Sequence, residues 1–517
     1  MHPTSAPVAV APSDKIMSLK STHPQYDIYK ESWQECRDFE AGADVVKKQG
    51  IKYLPPTEGM LLDGMKEKDL GLQRYLAYVQ RARVPDYVTA AVEVIVGLLH
   101  QKPPVIELPG QLEYLRERAS SKNETLTQLY RRVTVEQVTT GRVGLLGDTI
   151  TAGVQVGQLQ LGIALYSAES ILNWDDGDDE DDADAGKLCL VVLDESGYAR
   201  TGMDWNEVER YRVLALGDGD TIGEDYHFHQ FTSANGLMFA SSDMQRALYQ
   251  GAPLKEIPFV FVNSTDLLAE PQRPPLKGLV EMCKGIYQSE ADYRQNLYMQ
   301  GQDTLVVIGG VRNPEGVPGQ DADAIRTGSG SRIEIESGGD AKYVGVSSLG
   351  LQEQRIAIEN DRKRSQIKAG ELIQSAGSQM ESGNALSTRF NAQTATLNQL
   401  AATAAGGLER LLKILARWVG ANDAEVKVTP NTEFIDFQLD GQNFNLLMDA
   451  KGKGLPISYE TLHELMVDRG LASVDFQTEV KRIEAEKAIE ESLKPTPETT
   501  PAPGNNTPPS NTTPANE

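Results

Sequence analysis

Residues able to do chemistry are present in this chain, but seldom at spacings that would let them act together. His227 and His229 alternate along a β-like run and so face the same way, as two ligands of a metal would. With no cysteine or third histidine beside them in sequence, ordinary surface or core placement is the expected reading. His463-Glu464 offers half of a helical zinc motif and lacks the second histidine, which leaves an exposed helical side chain as the expectation. Between Asp175 and Asp184 every residue except Gly177 and Ala183 is acidic. Carboxylate oxygens are hard ligands for a divalent cation, but the regular spacing of a calcium loop is missing, so this run reads as a self-repelling, solvated surface loop. No G-x-x-x-x-G-K-[ST] loop is present to cradle phosphates, and no G-x-S-x-G elbow to present a serine nucleophile. Cys36, Cys189 and Cys283 are far apart and form no CxxC pair, which supports neither a zinc ribbon nor a disulfide framework and fits synthesis in a reducing cytoplasm. The expectation is a protein without catalytic, metal or cofactor site. One cluster stands out by charge: Arg362, Lys363, Arg364 and Lys368, in a chain with 74 acidic against 50 basic residues and a net charge of -24.

The elements that would hold these residues can be read from periodicity. The chain is 517 residues long with ordinary apolar and charged content, enough for two to four modules or one elongated subunit. No run reaches the roughly eighteen apolar residues of a membrane-spanning helix, and Met1 to Lys20 lacks the apolar core of a signal peptide, so neither entry into nor passage through a membrane is expected. Residues 1–22, rich in Pro, Ser and Ala, read as a flexible arm. Tyr26, Tyr29, Trp33 and Cys36 recur at helical intervals, and a second helical run from Lys66 to His100 is broken in two by Pro85. A third helix is expected from Leu112 to Gly141, feeding a strand through Gly141 to Asp148. Strands then dominate: 159–166, 188–193, 209–216, 226–231 and 257–262.

Pro274-Pro275 opens a helix expected to last to about Gln300. Short strands at 304–308 and 332–335 follow, then a helix from about Gly350 to Leu372. The small, polar stretch Gln374 to Asn384 reads as a flexible connector. A helix from Ala385 to Val419 carries Leu397, Leu400, Ala404, Leu408, Leu411, Leu412, Leu415 and Trp418 at helical spacing. A strand at 434–439 and two helices between Ser458 and Leu493 come next, with Ser458 as N-cap and Gly470 ending the first. Residues 494–517 lack large hydrophobics and read as a disordered tail. The fold class is therefore α+β and helix-rich.

The order from 274 to 419, helix, small β-rich excursion, helix, flexible polar loop, long helix, resembles the centre of the portal proteins, the head-to-tail connectors of tailed bacteriophages. Pro275-Leu276, Tyr287 and Ala291-Asp292-Tyr293-Arg294 in the first helix and Gly350-Leu351, Arg355 and Glu359 in the second carry the resemblance. Upstream, Gly141 to Asp148, Ala168 to Trp174 and Ile257-Pro258-Phe259-Val260 look like recurring segments of one portal subgroup. The resemblance covers about 25–490, and the Asp-rich run after Trp174 departs from it as an insertion.

It implies a wing (23–273), a stem of two helices (274–302 and 349–373) enclosing a clip (303–348), a tunnel loop (374–384), a long wing helix with its following strand (385–457) and a crown (458–493). Gln374, Ser375, Gly377, Ser378, Gln379 and Asn384 would belong to that tunnel loop, although a plain surface connector has the same composition. The resemblance further implies a dodecameric ring at one capsid vertex of the virion, assembled in the host cytoplasm. Its partners would be the terminase large subunit, a head-tail adaptor, a major capsid or scaffold protein, and double-stranded DNA passing through during packaging and ejection. Arg362, Lys363, Arg364 and Lys368 then admit two readings: DNA phosphate contacts that position without reading sequence, or salt bridges to a neighbouring subunit. The acidic balance argues against tight DNA binding and suits a channel wall that repels a polyanion. Another phage head or head-tail structural protein is the alternative. A metal-dependent nuclease would need a defined carboxylate cluster.

Overall fold

The computed structural model describes residues 19–150, 160–177, 187–217, 225–234, 237–240, 245–246, 248–249, 252–300, 304–308, 338, 340–344, 349–371, 383–432, 448–449, 451–452, 458–468 and 473–493. The arm before residue 19, the acidic run 178–184, the expected strands at 332–335 and 434–439, residues 374–382 of the connector, Gly470 and the tail beyond 493 lie outside the described residues. Two compact units divide the chain, Met1–Phe434 and Ile435–Glu517.

The first unit begins with helices: α1 (Pro24–Glu40), α2 (Ala43–Lys48), α3 (Glu58–Leu62), α4 (Leu70–Arg81) and α5 (Tyr87–Leu99). The helical spacing in α1 becomes burial, with Trp33 and Cys36 shut away from solvent and Tyr26 and Tyr29 half-buried beside them. Pro85 falls in the gap between α4 and α5, as the missing amide and fixed φ of proline require.

The single helix expected from Leu112 to Gly141 is instead a 3-10 turn, Gly110–Arg116, and a shorter helix α6, Leu126–Thr140. Asn123 sits at φ 57 between them, and Thr125 opens α6 with a capping box: its hydroxyl accepts from the Gln128 amide and the Gln128 side chain accepts from the Thr125 amide. A cap of this kind, typically about 1 kcal/mol, fixes the start fourteen residues after Leu112. At the other end Gly141, at φ 79, takes the left-handed cap conformation and turns the chain into a strand.

Two antiparallel sheets follow. Strands β1 (Val105–Glu107), β2 (Arg142–Ile150), β3 (Gln160–Ser167), β4 (Ile171–Asp175), β5 (Leu190–Asp194), β6 (Gly197–Thr201), β7 (Asp204–Val208), β8 (Arg210–Leu216), β9 (Tyr226–Ala234) and β10 (Leu237–Ala240) precede the short β11 (Gln245–Arg246), β12 (Leu248–Tyr249) and β13 (Ala252–Pro253) and then β14 (Phe259–Asn263). The order β14-β2-β3 makes one sheet, and β10-β9-β8-β5-β4 the other, with β11 also on β9. Strand β4 and the hairpin β6–β7 arise where the periodicity gave no strand.

Helix α7 (Lys277–Gln300), strands β15 (Thr304–Ile308) and β16 (Asp340–Val344), and helices α8 (Leu349–Glu371) and α9 (Gly383–Trp418) come next, and β17 (Lys427–Thr429) pairs back onto β1. All eight apolar positions singled out in α9 are buried, and α9 lies across β14, β2 and α6. Gly407 permits that approach: a methyl group there would sit 2.3 Å from Val262 Cγ2.

In the second unit, α10 (Tyr459–Asp468) packs on α11 (Phe476–Leu493). Ser458 caps α10 as expected, its hydroxyl accepting from the Thr461 amide at 3.0 Å.

Candidate functional site

Helix α7 is anchored and α8 is carried by it. Pro274 and Pro275 occupy the turn before α7, and the Lys277 amide donates to the Pro274 carbonyl at 3.1 Å. Leu279, Val280, Cys283, Ile286, Tyr287 and Ala291 form its buried face and pack against α1, α4 and α5. Burial pushes the Cys36 and Cys283 thiols up to about 12, so both behave as small apolar groups. Polar ties reinforce the anchoring. Lys277 and Lys284 both hold Glu35; burial would raise that carboxyl, and the hydrogen bonds from the two lysines outweigh it and bring it below its ordinary range. The Tyr78 hydroxyl donates to Asp292, and the Arg81 guanidinium lies 4.2 Å from the Tyr298 ring centroid.

Helix α8 runs along α7 and also touches α5, but few of its own side chains are buried. Ile358 and Ser365, seven residues apart, are buried; Leu351, Asp361, Arg362 and Ala369 are half-buried, and most of the remaining described side chains stand in solvent. A seam that narrow leaves a helix polar nearly all round, which a single chain stabilises poorly without further partners. The clasp between the two helices is Glu290. It is 3% exposed and receives Arg294 one turn along α7, at 2.7 Å, and Arg362 across from α8. One carboxylate thus serves two guanidiniums, leaving one positive charge in excess.

The four cations singled out by sequence are therefore not equivalent. Arg362 turns inward to Glu290 of its own chain. Arg364 reaches Asp361 at 3.7 Å, and Lys363 is exposed. Lys368 lies over Gly278, where a methyl group would come within 3.3 Å of its Cε. Successive residues step about 100° around a helix, so 362, 363 and 364 fan out rather than line one stripe, and only Arg364 and Lys368 share a face. Glu290 was the residue that sequence reasoning passed over. Its signal was the Glu290–Arg294 spacing of four on a helix.

The remaining candidates are placed as follows. Asn384 falls in the first turn of α9, and the other five residues named for the connector lie outside the described residues. His227 is buried and held on both ring nitrogens, Nδ1 at 2.9 Å from the Asp225 carbonyl and Nε2 accepting from Arg246 Nε at 2.8 Å. His229 stands against Phe231, with ring centroids 5.8 Å apart. His463, expected to be exposed, is half-buried edge-on to Phe476, because α11 folds back over α10. No cluster of three or more His, Cys, Asp or Glu able to hold a metal occurs among the described residues.

Comparison with known proteins bears on this same region. A family model described as a domain of unknown function (DUF4055) matches residues 275–419, which spans α7, β15, β16, α8 and α9. No curated protein matches the chain. Among solved structures the chain is similar to one described as the neck of an empty GTA particle computed with C6 symmetry, at 14% identity and a TM-score of 0.36, covering 75% of this chain and 90% of that one.

Proposed function

We propose that this chain is the portal subunit of a tailed phage or phage-like particle, a passive ring-shaped conduit at one capsid vertex through which a separate motor drives DNA. The observation that carries the reading is the element order from 277 to 418: an anchored helix, a β-ribbon formed by β15 and β16, a polar helix clasped to the first, and a long buried helix. Helix α8 has little of its surface covered within one chain, as suits an element that neighbouring subunits flank. A net charge of -24 per subunit, repeated around a ring, would hold a polyanion off the wall.

In this reading the exposed Lys363 and Arg364 are the channel-facing candidates, Lys368 lies over Gly278 of α7, and Arg362 supports them from the clasp. The ribbon lies in the clip, where the terminase and later a head-tail adaptor would dock. The connector that begins at 374 would form the tunnel loop, ending where α9 starts at Gly383, with Asn384 in the first turn of that helix. Twelve copies, with capsid or scaffold contacts at the vertex, complete the assembly.

Electron micrographs of the purified full-length chain test this. Rings with a central hole of roughly 20 Å or more, wide enough for duplex DNA, are the expected result. Monomers or closed shells under all assembly conditions would sink it. Replacing Lys363 and Arg364 with Gln should then alter packaging or release; unchanged DNA passage would remove their proposed contact with phosphates.

A further inference from the structure

Helix α1 begins on a histidine, and a histidine can cap a helix N-terminus only while it is neutral. His23 is extended, at φ -64 and ψ 143, with Pro24 opening the helix, and its Nδ1 accepts from the Gln25 amide at 3.2 Å. Accepting through Nδ1 places the proton of the neutral ring on Nε2. Protonated imidazole donates from both nitrogens, so the cationic ring would set an N–H against the Gln25 N–H and put a positive charge at the positive end of the helix dipole. Ser, Thr, Asp and Asn, the usual caps, bring no such change near neutral pH.

The same ring ties α1 to the second sheet. It stacks on Trp174 of β4, with centroids 4.1 Å apart and planes 25° from parallel, and the His23 amide donates to the Leu172 carbonyl at 2.9 Å. Arg142 of β2 lies against that indole too, its guanidinium carbon 4.1 Å from the ring centroid. A charged His23 would be a second cation on a ring that already carries one. Burial first and Arg142 second outweigh the opposing Asp176 and Asp175, and hold the imidazole below its ordinary range. On α1, Asp27 is taken up by Thr22 and Lys30. Leu19 is buried, and Lys20 pairs with Glu209 at 3.0 Å, but those side chains are 56% and 46% exposed, where an ion pair adds little.

We propose that His23 is an acid-released latch: neutral, it caps α1 and clamps residues 19–23 to β4; protonated, it lets go of the Gln25 amide and of Trp174 together and frees that segment, with the chain N-terminal to it, from the second sheet. The direction follows from linkage. A histidine held low in the latched state binds its proton more readily once released, so the latch is complete above about pH 6.5 and weakens as pH falls below it. Every contact in it lies within one chain, so it needs no ring.

Hydrogen exchange of the full-length chain, read by mass spectrometry between about pH 7.5 and about pH 4.5 with intrinsic rates corrected, tests the latch. Peptides covering residues 19–30 should lose protection about fivefold or more, as for one lost N-cap, while β2 and β14 stay protected. Exchange at the ring C2–H of His23, followed in the same samples, reports its protonation, which should rise over the same interval. His23→Asn keeps a capping oxygen and does not titrate, so its peptides should exchange alike at both ends of the range. Protection of residues 19–30 that is unchanged at the acid end would overturn the latch. So would loosening that is complete while His23 is still neutral, loosening shared by β2 and β14, or a His23→Asn chain that loosens with pH as the wild type does.

Discussion

Arg142 and Arg362 bury a cation in opposite ways. Arg142, the first residue of β2, is shut away from solvent and has no hydrogen-bond partner among the described residues for any of its three guanidinium nitrogens. It is held instead by ring faces, 4.1 Å from the Trp174 centroid and 4.5 Å from that of Phe261. Burial pushes it down to about 9, with Asp176 opposing, and so it remains charged at neutral pH. Arg362 is half-buried and answered by Glu290. Around Arg142 the sheet is held by packing, at the cost of a charge without a hydrogen-bond partner among the described residues. The pair α7 and α8 adds a charge clasp to a seam in which Ile358 and Ser365 are the buried side chains of α8 among the described residues, so salt and partners can loosen or tighten it.

The largest effect should come from removing the packing. Trp174→Ala takes away the ring that covers Arg142 and stacks on His23, and should cost about 3–5 kcal/mol in urea-induced unfolding. A loss under about 1 kcal/mol would show that the sheet tolerates the cavity. Arg142→Met keeps the volume and removes the charge, which should raise stability by about 1–3 kcal/mol. The sign follows from linkage. With its folded pKa lowered, the native state binds fewer protons than the unfolded chain between about pH 9 and the ordinary range of arginine, so the penalty is constant below about pH 9 and shrinks above it. The gap between variant and wild type should therefore narrow as pH rises past 9.

These differences also explain what was legible in the sequence. The eight apolar positions of α9 were readable because burial of a helix face leaves a 3.6-residue period. The start of α6 was readable in principle from Thr125 to Gln128, a local signal masked by the leucines that precede it. The hairpin β6–β7 was not: exposed on both faces, it has no alternation to detect. At the candidate site the basic cluster was visible as composition. The inward turn of Arg362 was not, because its partner Glu290 lies 72 residues away.

His100 provides a smaller and pH-dependent contrast. It is half-buried, 2.6 Å from Thr134 Oγ1 and edge-on to Tyr130, and burial, helped by Arg131, pushes it down to about 4. The unfolded chain then binds the extra proton between about pH 6.5 and pH 4. Its contribution is complete above pH 6.5 and is lost as pH falls toward 4, about 1–2 kcal/mol once solvent screening of a half-buried ring is allowed for. His100→Gln, which keeps a hydrogen-bonding group, should flatten that part of the acid limb. An unchanged slope would place the titration elsewhere.

The smallest effect on stability should be at the clasp. Glu290→Gln leaves Arg294 and Arg362 without their carboxylate, yet their side chains are 27% and 40% exposed and can turn to water, so the loss should be about 1 kcal/mol rather than the several expected of a fully buried pair. Salt separates the two regions. Raising ionic strength from 0.05 to roughly 0.5 M should weaken the wild-type clasp, and with it amide-exchange protection of α8, by screening. It should leave protection in β2 and β14 unchanged, since the cation there is held by rings in a dry site. If Glu290→Gln frees α8 to exchange while the sheets stay protected, charge is what holds that helix. If α8 exchanges no faster, the narrow seam of Ile358 and Ser365 is sufficient and the clasp is incidental.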